Sequence, residues 1–308
     1  MRLARMTILI SGATGFVGRE LSRHLIRHGH EVRAFSRRLA LAAAALEGVA
    51  DVIAWDAATH EPPLEAFDGV DAVVHLAGEP VVGRWTASKR ARMVSSRIDS
   101  TRLLVSAMAK LQAPPATLIS ASAIGYYGDR AEEELTEESA PGDDFLAETA
   151  IEWEREALGA EASGVRVVCI RTGIVIGQGG GALDAMLLPF RLGVGGPLGS
   201  GKQWWSWVSL ADVVGLIDFA LRTPGVSGPL NVTAPQPVRQ ADFARELGAA
   251  LHRPAILPAP AFALKLVLGG FATELLSSKR VLPQKAEQLG YRFEHRDLAE
   301  ALEHALAG

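Results

Sequence analysis

A doubly wound parallel α/β sheet, followed by a smaller C-terminal α/β domain, is the fold class that three observations predict. First, a strand-like apolar run ends in closely spaced glycines that open a helical pattern (ILISGATGFVGREL, 8–21). Second, the first half of the chain alternates short apolar runs with amphipathic stretches, the signature of βαβ units. Third, this alternation stops after about residue 175, where glycine and proline begin to punctuate the chain.

The elements follow in order. MTILIS is a buried strand, and FVGRELSRHLIRHG is a helix that stops at His28-Gly29, with glycine free to take the left-handed cap. EVRAFS, VADVIAW and DAVVHLAG read as further strands. A helical pattern over 88–111, the strand ATLISAS, a second helical pattern over 147–160 and the strand VRVVCIRTG complete the alternating part. Residues 1–175 are therefore assigned to a Rossmann-like sheet domain. Residues 176–308 form the smaller domain that closes over it. The boundary is ragged, because late strands near 206–209 and 228–234 are expected to return to the main sheet. The last stretch reads as two small helices around a short extended piece, with Asp297 as the N-cap of the second.

Composition narrows the function classes. The 308 residues are 48% hydrophobic and 21% charged, the balance of a globular protein with a sizeable core. A net charge of −4 with no basic block argues against nucleic acid as a partner. Cys169 is the single cysteine, so neither an intramolecular disulfide nor a cysteine-cluster metal site is available, and no metal is expected. MTILI is too short for a secretory core, and the apolar segment 261–276 is too short and too interrupted to span a bilayer. No membrane partner, a cytoplasmic location and a monomer or homodimer are the expectations.

The glycine cluster carries the strongest chemistry. Gly12 permits a tight turn, Gly15 lets backbone approach a pyrophosphate, and Gly18 allows close helix-to-strand packing. Free amides and the dipole at the helix N-terminus favour the phosphates, so the motif predicts dinucleotide binding. The second strand selects the dinucleotide. NAD enzymes place a carboxylate there for the ribose hydroxyls, about twenty residues beyond the glycines. This chain has Ser36, Arg37 and Arg38 instead, two guanidiniums and a hydroxyl suited to a 2′-phosphate. NADP(H) is the expected cofactor.

A competing motif fails. Gly196, Gly201 and Lys202 satisfy a GxxxxGK phosphate loop, but Gln203 cannot replace the Ser or Thr that holds magnesium. The segment also follows a Pro- and Gly-containing run and enters WWSW, where a phosphate loop would open a helix. It reads as a Gly-rich turn before a strand.

GATGFVG, the DAVVHLAG strand end and SASAIGYYG together resemble the extended short-chain dehydrogenase/reductase superfamily, of the NAD(P)-dependent epimerase/dehydratase type. The closing stretch ELLSSKRVLPQKAEQLGYRFEHRDLAEAL resembles the C-terminal module of a poorly characterised group within it, often labelled sugar-nucleotide epimerases or cell-division inhibitors. The resemblance covers nearly the whole chain. It implies a substrate cleft between the domains, for a sugar nucleotide or a small carbonyl or hydroxyl compound. It assigns Gly12, Thr14, Gly15, Phe16 and Val17 to the pyrophosphate, and Asp56 to the neighbourhood of the adenine. Leu76, Ala77 and Gly78 would lie beside the cofactor. Ser120, Ala121 and Ser122 would border the nicotinamide, with Arg171, Thr172 and Gly173 flanking it. Arg97 falls where the superfamily often has asparagine, and either reaches the cofactor or caps a salt bridge. Trp204, Trp205 and Trp207 would wall the cleft. His75 reads as a core or rim histidine.

One departure matters. The superfamily works with Tyr-x-x-x-Lys, and no tyrosine here (126, 127, 291) has lysine four residues on. The helix that should carry the pair has Phe145 and Thr149 near those places. Two readings compete. Either acid/base work passes to Ser122 with Tyr126 or Tyr127, aided by Asp144 or Glu148, or the chain binds NADPH as a sensor without catalysis.

Overall fold

The computed structural model describes residues 5–307; the first residues of the N-terminal segment lie outside them. Strands are numbered β1 (Thr7–Ser11), β2 (Glu31–Ser36), β3 (Asp51–Ala54), β4 (Ala72–His75), β5 (Thr117–Ala123), β6 (Glu134–Leu135), β7 (Arg166–Thr172), β8 (Ile174–Ile176), β9 (Trp204–Trp205), β10 (Trp207–Ser209), β11 (Gly228–Val232), β12 (Val238–Arg239) and β13 (Arg280–Val281). The helices are α1 (Phe16–Arg27), α2 (Leu39–Ala45), α3 (Ala87–Ser95), α4 (Ile98–Met108), α5 (Phe145–Leu158), α6 (Gly181–Arg191), α7 (Leu210–Arg222), α8 (Gln240–Ala250), α9 (Ala261–Leu268), α10 (Phe271–Leu276), α11 (Gln284–Gln288) and α12 (Leu298–Ala307).

Seven strands form one sheet in the order β11-β7-β5-β4-β1-β2-β3, and every pairing in it is parallel. The chain starts in the middle and winds outward in both directions, which is the doubly wound Rossmann-like plan. Period-two alternation decides which side chain meets which layer. Ile8 and Ile10 join Leu21 and Leu25 of α1 and Val213 and Leu216 of α7 on one face. Leu9 meets Phe35, Trp55, Leu104 and Met108 on the other.

Of the two late segments, 228–232 joins the main sheet as β11, edge-on to β7. Segment 207–209 instead pairs with β8 in a separate two-stranded sheet. The chain leaves the main sheet at Gly173, where an added Cβ would lie 2.5 Å from Ser206 O, so only glycine lets the two segments touch. A third core holds the C-terminal layer: Trp205, Trp207, Phe243, Leu247, Leu298 and Leu302. Two of the three tryptophans expected to wall a cleft are thus core residues, because their rings supply the apolar area this smaller layer needs. Trp204 lies partly buried between the guanidiniums of Arg239 and Arg280, 3.9 and 4.7 Å from its ring centroid.

The C-terminal module is anchored by one buried carboxylate. Asp212 accepts from the Glu294 and His295 amides at 2.8 and 3.0 Å and from Tyr291 OH at 3.1 Å. Asp297 caps α12 through the amides of Ala299 and Glu300. No helix among the described residues is long and apolar enough to cross a membrane.

Candidate functional site

The turn after β1 is built around its glycines. Gly12 sits at φ +73°, and a Cβ there would lie 2.8 Å from Ala77 N and from the Leu76 carbonyl carbon. The β4 end therefore presses against this turn, held further by Leu76 N donating to Ser11 O at 3.1 Å. A Cβ on Gly18 would lie 2.2 Å from Gly12 O. Gly15 is the N-cap of α1 and offers no side-chain acceptor, and the first turn holds no acidic residue. The amides of Phe16, Val17 and Gly18 have no acceptor among the described residues. Several donors at the positive end of a helix, left open by the protein, form an anion cradle. Thr14 is exposed in the same turn, and Val17 packs partly into the core. The Phe16 ring packs against Gly177, Gly180 and Gly181, where added Cβ atoms would meet it at 2.7–3.1 Å. The Gly-rich segment 177–181 is thereby laid beside the cradle.

At the end of β2, Ser36 Oγ accepts from Arg38 N at 3.0 Å. Arg37 and Arg38 are exposed, and neither guanidinium has a carboxylate partner among the described residues. Asp56 follows β3 and spends one oxygen on the Ala58 amide at 3.2 Å. Gly78 lies against Arg97, whose guanidinium carbon would be 3.4 Å from an added Cβ. Arg97 donates to Met93 O at 3.1 Å and stacks 5.2 Å from the Trp153 ring centroid. Burial pulls its guanidinium down to about 10. It forms no salt bridge among the described residues, so of its two expected roles the ion-pair cap is absent.

The far side of the sheet differs. Ala121 and Ala123 are half-buried, while Ser120 and Ser122 alternate to the inside. Ser122 Oγ donates to Glu154 Oε1 of α5 at 2.6 Å. Arg171 is buried and grips Glu154 with two bonds of 2.8 Å. It also donates to Tyr127 OH at 3.0 Å, and Tyr127 donates to Asn231 Oδ1 at 2.7 Å. Burial pushes the Tyr127 phenol up to about 12. The Tyr126 ring lies 3.4 Å from the Arg171 guanidinium carbon and packs with Ile124, Tyr127, Leu135 and Val281. Thr172 Oγ1 turns back to Ile170 O at 3.3 Å.

Ser122, Tyr127 and Arg171 are thus engaged within the protein, whereas the Tyr126 hydroxyl has no hydrogen-bond partner among the described residues. A hydroxyl that already donates to a buried carboxylate or amide is held by the protein, and Arg171 is neutralised by Glu154 rather than turned to a cofactor. Asp144 is a helix cap, accepting from the Leu146 and Ala147 amides at 2.9 Å. Glu148 is exposed. Glu154 is the residue that sequence reading missed. It stands on the buried face of α5 with Ala147, Ala150 and Ala157, a helical spacing at which a lone carboxylate demands a partner.

His75 is a core residue, as read. It is fully buried, bonded to Ser11 Oγ at 2.6 Å and Ser100 Oγ at 3.2 Å, and burial lowers it to about 4, so it is neutral. The 196–203 loop is structural. Gln203 is buried and donates to Leu198 O and Leu275 O, and β9 follows it without a helix.

Residues 8–232 match the family described as the NAD dependent epimerase/dehydratase family, and residues 259–305 match a domain of unknown function, DUF1731. The epimerase family protein YfhF of Bacillus subtilis is 39% identical over 303 residues, covering 98% of each chain. The chloroplastic SDR39U1 homolog of Arabidopsis thaliana is 40% identical, covering 97% of this chain and 86% of that protein. The human epimerase family protein SDR39U1 (isoform 2), crystallised with NADPH, superposes with a TM-score of 0.84 at 35% identity, covering 98% and 99%. The chain belongs to the NAD dependent epimerase/dehydratase family.

Proposed function

We propose that this protein is an NADP(H)-dependent oxidoreductase acting on a small molecule held between the sheet and the C-terminal layer. The observation that carries the cofactor is the pairing of open α1 amides with two unpaired guanidiniums at the β2 end. The 35% identical human relative solved with NADPH supports the same reading. Gly12, Thr14, Gly15, Phe16 and Val17 would bind the pyrophosphate, and Ser36, Arg37 and Arg38 the 2′-phosphate. Asp56 would border the adenine. Leu76, Ala77, Gly78 and Arg97 would flank the ribose and nicotinamide, with Ser120, Ala121, Thr172 and Gly173 shaping the floor. Bound NADPH supplies a hydride.

Ser122, Tyr127 and Arg171 take a positioning role, fixing the ends of β5 and β7 through Glu154 and Asn231, while Tyr126 stacks on Arg171 with its hydroxyl left free. Epimerisation through a keto intermediate needs a base that takes and returns a hydroxyl proton. Neither of the two superfamily places on α5 offers one: Phe145 has no ionisable group, and Thr149 is buried and donates to Phe145 O at 2.7 Å. Net reduction is therefore favoured over epimerisation, although one 34% identical structure is named a nucleoside-diphosphate sugar epimerase, from Corynebacterium glutamicum.

The same tied hydroxyls favour a second reading, an NADPH-binding sensor. The test is NADPH consumption by the purified protein on adding a panel of sugar nucleotides, small carbonyl compounds and conjugated acceptors. Consumption with at least one class supports the oxidoreductase. Tight NADPH binding with no consumption across the panel would leave the sensor.

A further inference from the structure

The place where the superfamily keeps its acid/base pair is occupied by aromatic rings. Phe145 opens α5, and its ring centroid lies 5.7 Å from that of Trp85, which lies 5.9 Å from that of Phe271. The three come from the loop before α3, the first turn of α5 and the start of α10. Trp85 and Phe145 are half-buried, so each keeps ring area open. Arg90 lies over both, 5.8 Å from the Trp85 centroid and 5.0 Å from that of Phe145. Its guanidinium is exposed and has no carboxylate partner among the described residues. Gly270 makes this possible, since a Cβ there would lie 2.6 Å from the Arg90 guanidinium and 3.0 Å from the Trp85 ring.

We propose that the substrate is a planar conjugated hydride acceptor bearing an anionic group, stacked on Trp85 with Phe145 against its edge and its anion on Arg90. The proposal rests on the oxidoreductase reading and names its substrate class. Two arguments meet in it. Aromatic rings and an unpaired guanidinium suit a flat anionic ligand, whereas sugar hydroxyls would need neutral polar partners that this wall lacks. The second argument is chemical. Reducing an isolated ketone generates an alkoxide and so calls for a proton donor, and at the superfamily's acid/base places on α5 this chain has Phe145, with no hydroxyl, and Thr149, whose hydroxyl donates to Phe145 O. A flavin or quinone accepts hydride to give an anion stabilised by conjugation. With flavin mononucleotide the step balances without a protein acid: the nicotinamide C4–H bond breaks, an N5–H bond forms, and NADPH plus FMN gives NADP⁺ plus the reduced flavin anion. Two electrons move with the hydride, oxidising the nicotinamide and reducing the flavin.

The experiment titrates FMN, and separately riboflavin, its uncharged counterpart, into the full protein saturated with NADP⁺, reading flavin fluorescence. FMN should be quenched by stacking and should bind about tenfold more tightly than riboflavin, one charge-assisted contact apart. Trp85→Leu should remove the quenching. Arg90→Gln should bring FMN affinity down to that of riboflavin while leaving riboflavin and NADPH affinity unchanged. NADPH consumption with FMN should follow the same order. No quenching in the wild-type NADP⁺ complex, equal affinity for the two flavins, or displacement of FMN by UDP-glucose would overturn the proposal. Failure of NADPH itself to bind would instead sink the reading beneath it.

Discussion

The two ends of the sheet's ligand edge treat their polar groups in opposite ways. Around α1 and the β2 end, amides and guanidiniums are left without protein partners. Around the ends of β5 and β7, Ser122, Tyr127, Arg171, Glu154 and Asn231 satisfy one another in one buried network. Donors left open are available to a ligand, whereas a network that satisfies itself braces the strands it joins, like a strut. Family membership alone would have placed catalysis in the second region. The bonding pattern there ties β5 and β7 to α5.

The sharpest way to break the comparison is at the cradle. Gly15→Asp should abolish measurable NADPH binding, since bulk and negative charge enter the space meant for phosphate. Gly15 has an ordinary φ of −72°, so the variant should still fold, as circular dichroism would report. Retained NADPH affinity would remove the cradle from the account.

Glu154→Ala attacks the strut. It leaves Arg171 buried without its counter-ion, which should cost about 3 to 5 kcal/mol of stability in urea unfolding. Cofactor affinity in the folded variant should stay near wild type. A loss under about 1 kcal/mol, or a selective loss of NADPH affinity, would mean that the network serves the ligand instead.

His75 offers a pH handle on the scaffold that joins the two regions. Its folded value of about 4 lies below the ordinary 6.5, so the unfolded chain binds the extra proton first. The neutral imidazole's contribution is fully present above pH 6.5 and is lost as pH falls toward 4. The loss is at most about 3 kcal/mol. His75→Asn should flatten that part of the stability profile; an unchanged slope would assign it to other groups. The smallest expected effect is Lys202→Ala. It should leave NADPH affinity unchanged within about 0.5 kcal/mol, because the loop it belongs to is a turn. Magnesium-dependent ATP binding lost in this variant would contradict that.

The cradle was legible in the sequence because its determinants are local: glycines at fixed spacing between a strand and a helix, and arginines at the next strand end. The missing Tyr-x-x-x-Lys was legible for the same reason. The strut was not. Tyr127 and Asn231 are 104 residues apart and Arg171 and Glu154 are 17 apart, so no local pattern pairs them. Strand alternation could have warned that Ser122 faces α5 while its neighbours Ala121 and Ala123 do not. The tryptophans misled because aromatic residues serve cores and clefts alike, and the supply of apolar partners in the third core decided for Trp205 and Trp207.

The central claim is that this chain reads the 2′-phosphate with Arg37 and Arg38. Isothermal titration of NADPH and NADH into wild type and the Arg37→Ala/Arg38→Ala variant tests it most directly. Wild type should prefer NADPH. The double variant should lose about 2 to 4 kcal/mol toward NADPH and little toward NADH, as two charge-assisted contacts disappear. Equal NADPH affinity in the two proteins would contradict the account.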